Sequence, residues 1–425
     1  MTEASTIGFA GLSHLGTIYS MAAAARSFTV LAFDERRELT KELGMRQFPI
    51  VEPGLEETAR EHGGRIRYTS EAQELAGCGL VFITLDVATN ESNTSDLAPL
   101  EALIEKVSAS IRSDALLAIM SQVPPGFCRS LSARLPAGLQ LFHQVETLIF
   151  GNAMERAIHP ERLIVGCADP AGELPERYRR YLDAFDCPVL PMRYESAELC
   201  KAAINCFLVS SVTTSNTLAE ICERIGADWS EIVPALRLDK RIGPHAYLSP
   251  GLGIAGGNLE RDLVTVQRLA AENGCDARVV TAWQEKSRHD RDWVLRVLFG
   301  AGALARSGSV SLAVWGLAYK AGTHSTRNSP SLALLDALPA YSFRAYDPVA
   351  KIDREFPAVR QCGSALEAAE GAAALIVMTP WNEFSGISAG EVKARMSGVH
   401  IVDPYRVLDG RAFRESGFEY HCRGA

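Results

Sequence analysis

The chain has 425 residues, 47% of them hydrophobic and 22% charged, with a formal net charge of −8. That length exceeds one ordinary core and implies two or three domains, while the acidic balance argues against a nucleic-acid or anionic-membrane surface. No apolar stretch is long enough to span a bilayer and the polar start does not read as a secretory leader; ten cysteines without C-x-x-C spacing signal neither zinc nor a disulfide framework, so no metal is expected, and reduced thiols in a cytoplasmic protein are the natural reading.

In chain order, a short apolar run, Ile7 to Ala10, enters the turn Gly11-Leu-Ser-His-Leu-Gly16 and an alanine-rich helical stretch to Ala25. A second strand, Phe28 to Phe33, ends at Asp34. Strand, glycine turn, helix, strand and acid in this order are the mark of a dinucleotide site, with the acid about 20 residues beyond the turn. Gly11 permits the tight turn, Gly16 lets the helix pack on the strand, and the helix N-terminus faces a pyrophosphate. Ser13 stands where the fingerprint has its middle glycine; it crowds the pyrophosphate but can donate a hydrogen bond. Gly11, Ser13, Leu15, Gly16 and Asp34 are thus the candidate cofactor-binding residues, and the acid favours NAD. A plain βαβ turn is the alternative, and Arg36 and Arg37 keep NADP open.

Nearly all-apolar strands follow at α/β spacing: Leu80–Leu85, Leu116–Met120, Leu139–Gln144 and Leu163–Gly166. They read as strands buried on both faces of a parallel sheet. Thr84, Asp86, Ser121, Gln122, His143 and Glu146 lie at or just past their ends, where such sheets place ligands. Glu146, followed by apolar residues, is the most suggestive of them.

Ser196 to Ile225 contains neither Pro nor Gly and predicts one long helix, of the kind that bridges domains and forms a dimer contact. Lys201 and Asn205 stand four apart on one face. They are either a snorkelling lysine beside a satisfied asparagine or a catalytic pair. Arg241, His245 and Tyr247 fall in the loop after a second helical segment. The stretch Ser249 to Asp262 then packs Gly251, Gly253, Gly256 and Gly257 ahead of a helix expected from Leu263. It is either a ligand loop or a flexible connection. Strands Val310–Trp315, Ser342–Tyr346, Leu375–Thr379 and Ile401–Asp403 make a second, smaller doubly wound unit. Its Lys320, Arg327 and Arg406 either hold phosphates or are ordinary loop cations. The fold class is α/β, two doubly wound Rossmann-like domains joined by a central long-helix dimerisation region, divided at 1–194, 195–300 and 301–425.

Seven segments, taken in order, resemble the UDP-glucose/GDP-mannose dehydrogenase family along essentially the whole chain. They are Ile7–Gly16, Pro49-Ile-Val-Glu-Pro-Gly-Leu55, Ser121-Gln-Val-Pro-Pro-Gly126, Ser196 to Asn205, Asp239 to Gly243, Gly316–Lys320 and Arg327–Pro330. The resemblance implies an NAD domain, a helical dimerisation core and a nucleotide-sugar domain, and oxidation of a sugar C6 alcohol to a carboxylate in two steps. It implies that Lys201 stabilises an oxyanion, that Asn205 and Asp262 position water or substrate, and that Glu146 serves as a base. It places Arg241 at the sugar nucleotide of a partner subunit in a homodimer and Lys320 near the same ligand. Tyr247 and Gly253 join these as candidate substrate-binding residues, and Arg327 approaches the NAD pyrophosphate.

The departures fall in the chemistry. Aligned with the family's Gly-x-Gly-aromatic-Gly-Gly-Ser-Cys-Phe-Pro-Lys-Asp, the cysteine position is Asn258. Ile254, Ala255, Glu260 and Arg261 replace the aromatic residue, a glycine, the proline and the lysine. Only Glu146, Leu148 and Gly151 survive of Pro-Glu-Phe-Leu-x-Glu-Gly, and Gln122 replaces a hydroxyl residue. A thiolate turns an aldehyde into an adduct that can lose a second hydride, and a carboxamide does not. Three readings stay open: an oxidoreductase that oxidises once or transiently, a full dehydrogenase working through an aldehyde hydrate held by Asn258 and Asp262, and a non-catalytic nucleotide-sugar binder.

Overall fold

The structure is a computed structural model that describes residues 6–90, 95–304, 310–352 and 356–425. It divides into two compact units, Met1–Ile204 and Asn205–Ala425, with the division inside a 32-residue helix, Tyr194–Ile225.

The first unit holds eight strands: β1 (Ile7–Ala10), β2 (Val30–Phe33), β3 (Ile66–Thr69), β4 (Leu80–Ile83), β5 (Leu116–Ile119), β6 (Gln140–Gln144), β7 (Leu163–Cys167) and β8 (Val189–Arg193). They lie in the order β3-β2-β1-β4-β5-β6-β7-β8. Successive strand residues point to opposite faces, and here both faces are covered. Leu80 and Phe82 of β4 join one apolar cluster with Ile18, Ala22, Tyr178 and Tyr181. Val81 and Ile83 join the other, with Leu103, Ile104 and Val107. The expectation of a parallel sheet needs one correction: β6 and β7 pair antiparallel, while every other neighbouring pair is parallel. Apolar strands report cover on both faces, which is blind to strand direction. The edge strand β3 escapes an apolar search because only Thr69 in it is buried.

The second unit holds β9 (Ser311–Trp315), β10 (Ser342–Tyr346), β11 (Val359–Gln361), β12 (Ala374–Val377), β13 (His400–Val402) and β14 (Glu419–His421), all parallel in the order β11-β10-β9-β12-β13-β14. Leu312 and Val314 of β9 face one apolar cluster, Ala313 and Trp315 the other. This unit also carries the helices Trp229–Leu238, Asn258–Glu272, Arg278–Arg291 and Trp293–Gly300. The helix expected from Leu263 begins five residues earlier, at Asn258. Its first turn is polar and hides the start from any apolar pattern. Among the described residues, no helix is long and apolar enough to cross a membrane.

Candidate active site

The turn after β1 has the geometry that its sequence asks for. Gly11 sits at φ 92°, and a Cβ on Gly16 would collide with the Gly11 carbonyl oxygen. The helix His14–Ala25 therefore packs hard against β1, with its N-terminus at the carboxyl edge of the sheet. Ser13 Oγ donates to the Thr84 carbonyl at 3.0 Å and accepts from Asp86 N–H at 2.9 Å, fastening the turn to the end of β4. Leu15 N–H donates to Asp86 Oδ2 at 3.2 Å, so the helix start already holds a carboxyl group, one that burial pushes up.

Asp34, at the end of β2, accepts from Leu12 N–H at 2.8 Å and from the Arg36 guanidinium at 2.8 Å on each oxygen. Burial pushes its carboxyl up, but the Arg36 pair and the backbone N–H groups of Arg36 and Leu12 outweigh that and hold it below the usual range. The acid is therefore ionised at neutral pH. Arg37 pairs instead with Glu71 at 3.0 Å. His143, by contrast, lies in the core, where burial pushes its imidazole down to about 4, and has a structural place.

Two acids have structural tasks that their motifs did not announce. Glu52, in the Pro-Ile-Val-Glu-Pro-Gly-Leu segment, accepts from His14 at 2.9 Å, from Gly151 N–H at 3.0 Å and from Ala153 N–H at 3.3 Å. Glu198 lies in the first turns of the long helix. It accepts from Gly126 N–H and Cys128 N–H, both at 2.6 Å, and caps the short helix Phe127–Ser132.

Lys201 Nζ lies 3.2 Å from Glu146 Oε2, and the two side chains are 14% and 18% exposed. A merely snorkelling lysine would keep its head in water, and this one is mostly covered by protein. One turn along the same helix, and within the second unit, Asn205 donates its amide to Asp262 Oδ2. Asn205 and Asp262 are both buried, and the Arg261 guanidinium lies 3.5 Å from the other Asp262 oxygen.

The glycine stretch before Asp262 is seated rather than slack. Gly251 N–H donates to Asn216 Oδ1 at 2.8 Å, and its carbonyl accepts from Arg423 at 2.6 Å. Gly253, at φ 79°, lies so near Ser287 that a Cβ would meet its carbonyl and hydroxyl oxygens at 2.6 Å. Gly256 lies against the Tyr319 ring and Gly257 against the Arg327 side chain. Asn258 then opens the helix and is exposed. Arg423 is completely buried and reaches Asp290 at 3.1 Å and the Asn216 carbonyl at 3.3 Å.

The remaining candidates are spread along the second unit. Arg241 forks onto Asp239 at 2.6 and 3.0 Å, with 90% of its side chain exposed. Tyr247 is half-exposed, and its carbonyl accepts from Ser215 Oγ at 3.1 Å. Lys320 Nζ stands 5.8 Å from the centre of the Tyr319 ring. Arg406, read as a possible phosphate holder, pairs with Asp228 at 3.0 Å.

Three domain models of one family match the chain: its NAD binding domain over residues 5–181, its central domain over 195–288 and its UDP binding domain over 313–410. The chain belongs to the UDP-glucose/GDP-mannose dehydrogenase family. Among relatives, it is 29% identical to the UDP-glucose 6-dehydrogenase of Pseudomonas aeruginosa, covering 97% of this chain and 96% of that protein. The fold is shared with a UDP-glucose dehydrogenase of Pyrobaculum islandicum, with TM-score 0.83, 23% identity and 95% and 96% of the two chains covered. It is shared equally with a UDP-D-ManNAc dehydrogenase of Pyrococcus horikoshii, with TM-score 0.84, 22% identity and 99% of each chain covered.

NAD is the cofactor of this family's N-terminal domain, and the turn fits it: the close Gly11–Gly16 packing, the helix that starts directly after the turn and an ionised acid at the end of β2. NAD should bind at least about tenfold more tightly than NADP, a difference of about 1.4 kcal/mol, because the Asp34 carboxylate repels a 2′-phosphate. Paired fluorescence titrations read this directly. Equal or tighter NADP binding would assign the phosphate to Arg36 or Arg37.

Proposed function

We propose that the protein is an NAD-dependent oxidoreductase that takes a hydride pair from the C6 alcohol of a nucleotide sugar and stops at the aldehyde level or returns the hydride. The observation that carries this reading is the long helix, which presents Lys201, paired with Glu146, and one turn on Asn205, bonded to Asp262. A pure binding protein has no need of an ion-paired lysine and a buried amide–carboxylate pair at those positions. Bound NAD supplies the hydride acceptor. Glu146 takes the alcohol proton, and Lys201, in contact with it, stabilises the alkoxide and the oxyanion that follows. Asn205 and Asp262 hold a hydroxyl or a water in place, with Asn258 at the helix start beside the glycine loop. Gly11, Ser13, Leu15, Gly16 and Asp34 hold the cofactor, and Arg327 approaches its pyrophosphate. Lys320, Tyr247 and Gly253 contact the nucleotide sugar. In this assignment the chain has three working parts, an NAD domain over 1–194, a central helical part over 195–300 and a nucleotide-sugar domain over 301–425.

The test is nicotinamide reduction by the purified protein with NAD and a panel of UDP- and GDP-hexoses. Turnover with one member of the panel and its loss in Lys201→Ala support the reading. Tight nucleotide-sugar binding with neither net reduction nor any change in the recovered sugar would make the protein a binder.

The active form is proposed to be a homodimer built on the long helix. Phe207, Ile221 and Ile225 of that helix are 78%, 46% and 70% exposed, which is apolar surface that a lone chain seldom leaves in water. Arg241, exposed and forked onto Asp239 in the lone chain, is proposed to turn to the site of a second copy. Light scattering should give a dimer at micromolar concentration and a monomer for Phe207→Asp, with activity lost alongside. An active monomer of the unaltered protein would rule the arrangement out. The ten cysteines are all free, in keeping with a reducing, cytoplasmic setting.

A further inference from the structure

Far from the glycine loop in sequence, the parallel strands β13 and β14 bring three donor groups together. His400 pairs in register with Glu419, and Val402 with His421. Side chains two apart on a strand share a face, so Glu419 and His421 stand side by side with His400 next to them. The ligand atoms of the three residues all lie within 4.8 Å of one another. His400 Nδ1 is 3.3 Å from Glu419 Oε2, and the two imidazole rings lie 6.2 Å apart at an interplanar angle of 27°.

An ordinary histidine–glutamate pair at a sheet edge would account for His400 and Glu419 alone. It leaves two facts standing. Neither His400 Nδ1 nor His421 Nε2 has a hydrogen-bond partner among the described residues, although both atoms are buried. Buried polar atoms are nearly always satisfied, and an orphaned pair at one spot points to a bound ion or water. Two buried imidazole nitrogens, one of them 3.3 Å from a carboxylate and neither hydrogen-bonded, are with that carboxylate a donor set for a metal.

We propose that His400, Glu419 and His421 form a binding site for one divalent transition-metal ion of the zinc class. Two nitrogens and one oxygen suit such an ion and disfavour calcium or magnesium, which take oxygen ligands. Metal–ligand distances of about 2.0–2.2 Å put neighbouring ligand atoms of a tetrahedral site within reach of small rotamer changes from their present spacing. The fourth position belongs to water or a small ligand: His421 also lines a cleft of about 390 Å³ with Trp293, Arg296 and Glu220. The sulfur of Cys422 takes no part, because that residue packs into the apolar cluster on the other face of the sheet. Arg414, whose charge reaches His421, opposes a cation and sets the affinity lower than in a structural zinc site. The site escapes a search for cysteine motifs, because its ligands come from two strands separated by a helix. It does not depend on the catalytic reading.

The test titrates cobalt(II), then zinc(II) in competition, into the full chain stripped with chelator. One cobalt per chain is expected, with visible ligand-field bands and no thiolate charge-transfer band, released by zinc. The unfolding midpoint should rise with saturating zinc. His421→Gln should weaken binding at least about tenfold. Glu419→Gln, whose side chain is 60% exposed in the wild type and so safe to change, should do the same while keeping the metal-free midpoint. Absence of saturable binding, equal affinity in Glu419→Gln, or a thiolate band would each overturn the site.

Discussion

At most one reduced nicotinamide, and never two, should appear for each nucleotide sugar that the protein consumes, and any oxidised product should carry a carbonyl that a hydrazine reagent traps. The first oxidation needs only an alcohol, a base and NAD. The second needs the aldehyde converted to a tetrahedral adduct, and in the proposed function the Asn258 carboxamide stands where the family has its thiol. Two other thiols are candidates to replace it, and neither serves. Cys275 lies beyond the far end of the helix that Asn258 begins, about 22 Å away for its 15 residues at 1.5 Å each. Cys206 adjoins Asn205, and burial and then the Asp262 charge push its thiol up, away from the reactive thiolate. Water, which the proposed function has Asp262 hold, is the remaining nucleophile. It must be fixed in line at each turnover, where a covalent side chain is already positioned. Asn258→Ala should therefore leave the first oxidation within about threefold, whereas Lys201→Ala should reduce it by about 100–1,000-fold. The measurement is reduced cofactor counted against sugar lost, with products weighed by mass. Two per sugar, with a carboxylate and no trapped aldehyde, would establish the hydrate route.

The second large effect concerns stability. Arg423→Ala should destabilise the second unit by about 3 kcal/mol, the lower end of the range for removing one partner of a buried ion pair. Arg423 is wholly buried, and so is Asp290, its partner at 3.1 Å. The lower end is right because Asp290 keeps Lys286, one turn away at 2.5 Å, and Asn216 at 3.0 Å. Denaturant melts should show the loss as a shifted midpoint with an unchanged slope. Activity should fall with it, because the Gly251 carbonyl loses its donor and the loop its seat. Arg423→Lys should recover only part, since an ammonium cannot fork between Asp290 and two carbonyls. A change below about 0.5 kcal/mol, the size of a surface substitution, would show that the pair is dispensable.

The dinucleotide half of the site was legible because its signals are local. Gly11, Gly16 and Asp34 lie within 24 residues, and each answers a steric or electrostatic need that a reader of sequence can state. The pairing of Lys201 with Glu146 was half legible. Both residues stood out by position, but a spacing of 55 residues in the chain says nothing of a 3.2 Å contact. The support of the glycine loop was not legible at all. Asn216, Ser287 and Arg423 come from three separate segments, and an arginine near position 423 reads as solvent-facing until its neighbours are known. Strand direction at β6–β7 was lost for another reason, since apolar residues report burial and nothing more.

The seat of Gly251 also sets a timetable. Arg423 meets Asp290 across 133 residues and Asn216 across 207. At about 5–20 residues per second, a ribosome needs roughly 7–27 s to travel from Asp290 to Arg423. Throughout that interval Lys286, on the same helix, is at hand for Asp290, while the Gly251 carbonyl has no arginine to receive. On a nascent chain the Gly251 loop therefore lacks this fastening until residue 423 has been made, and it is open to proteases and chaperones in the meantime.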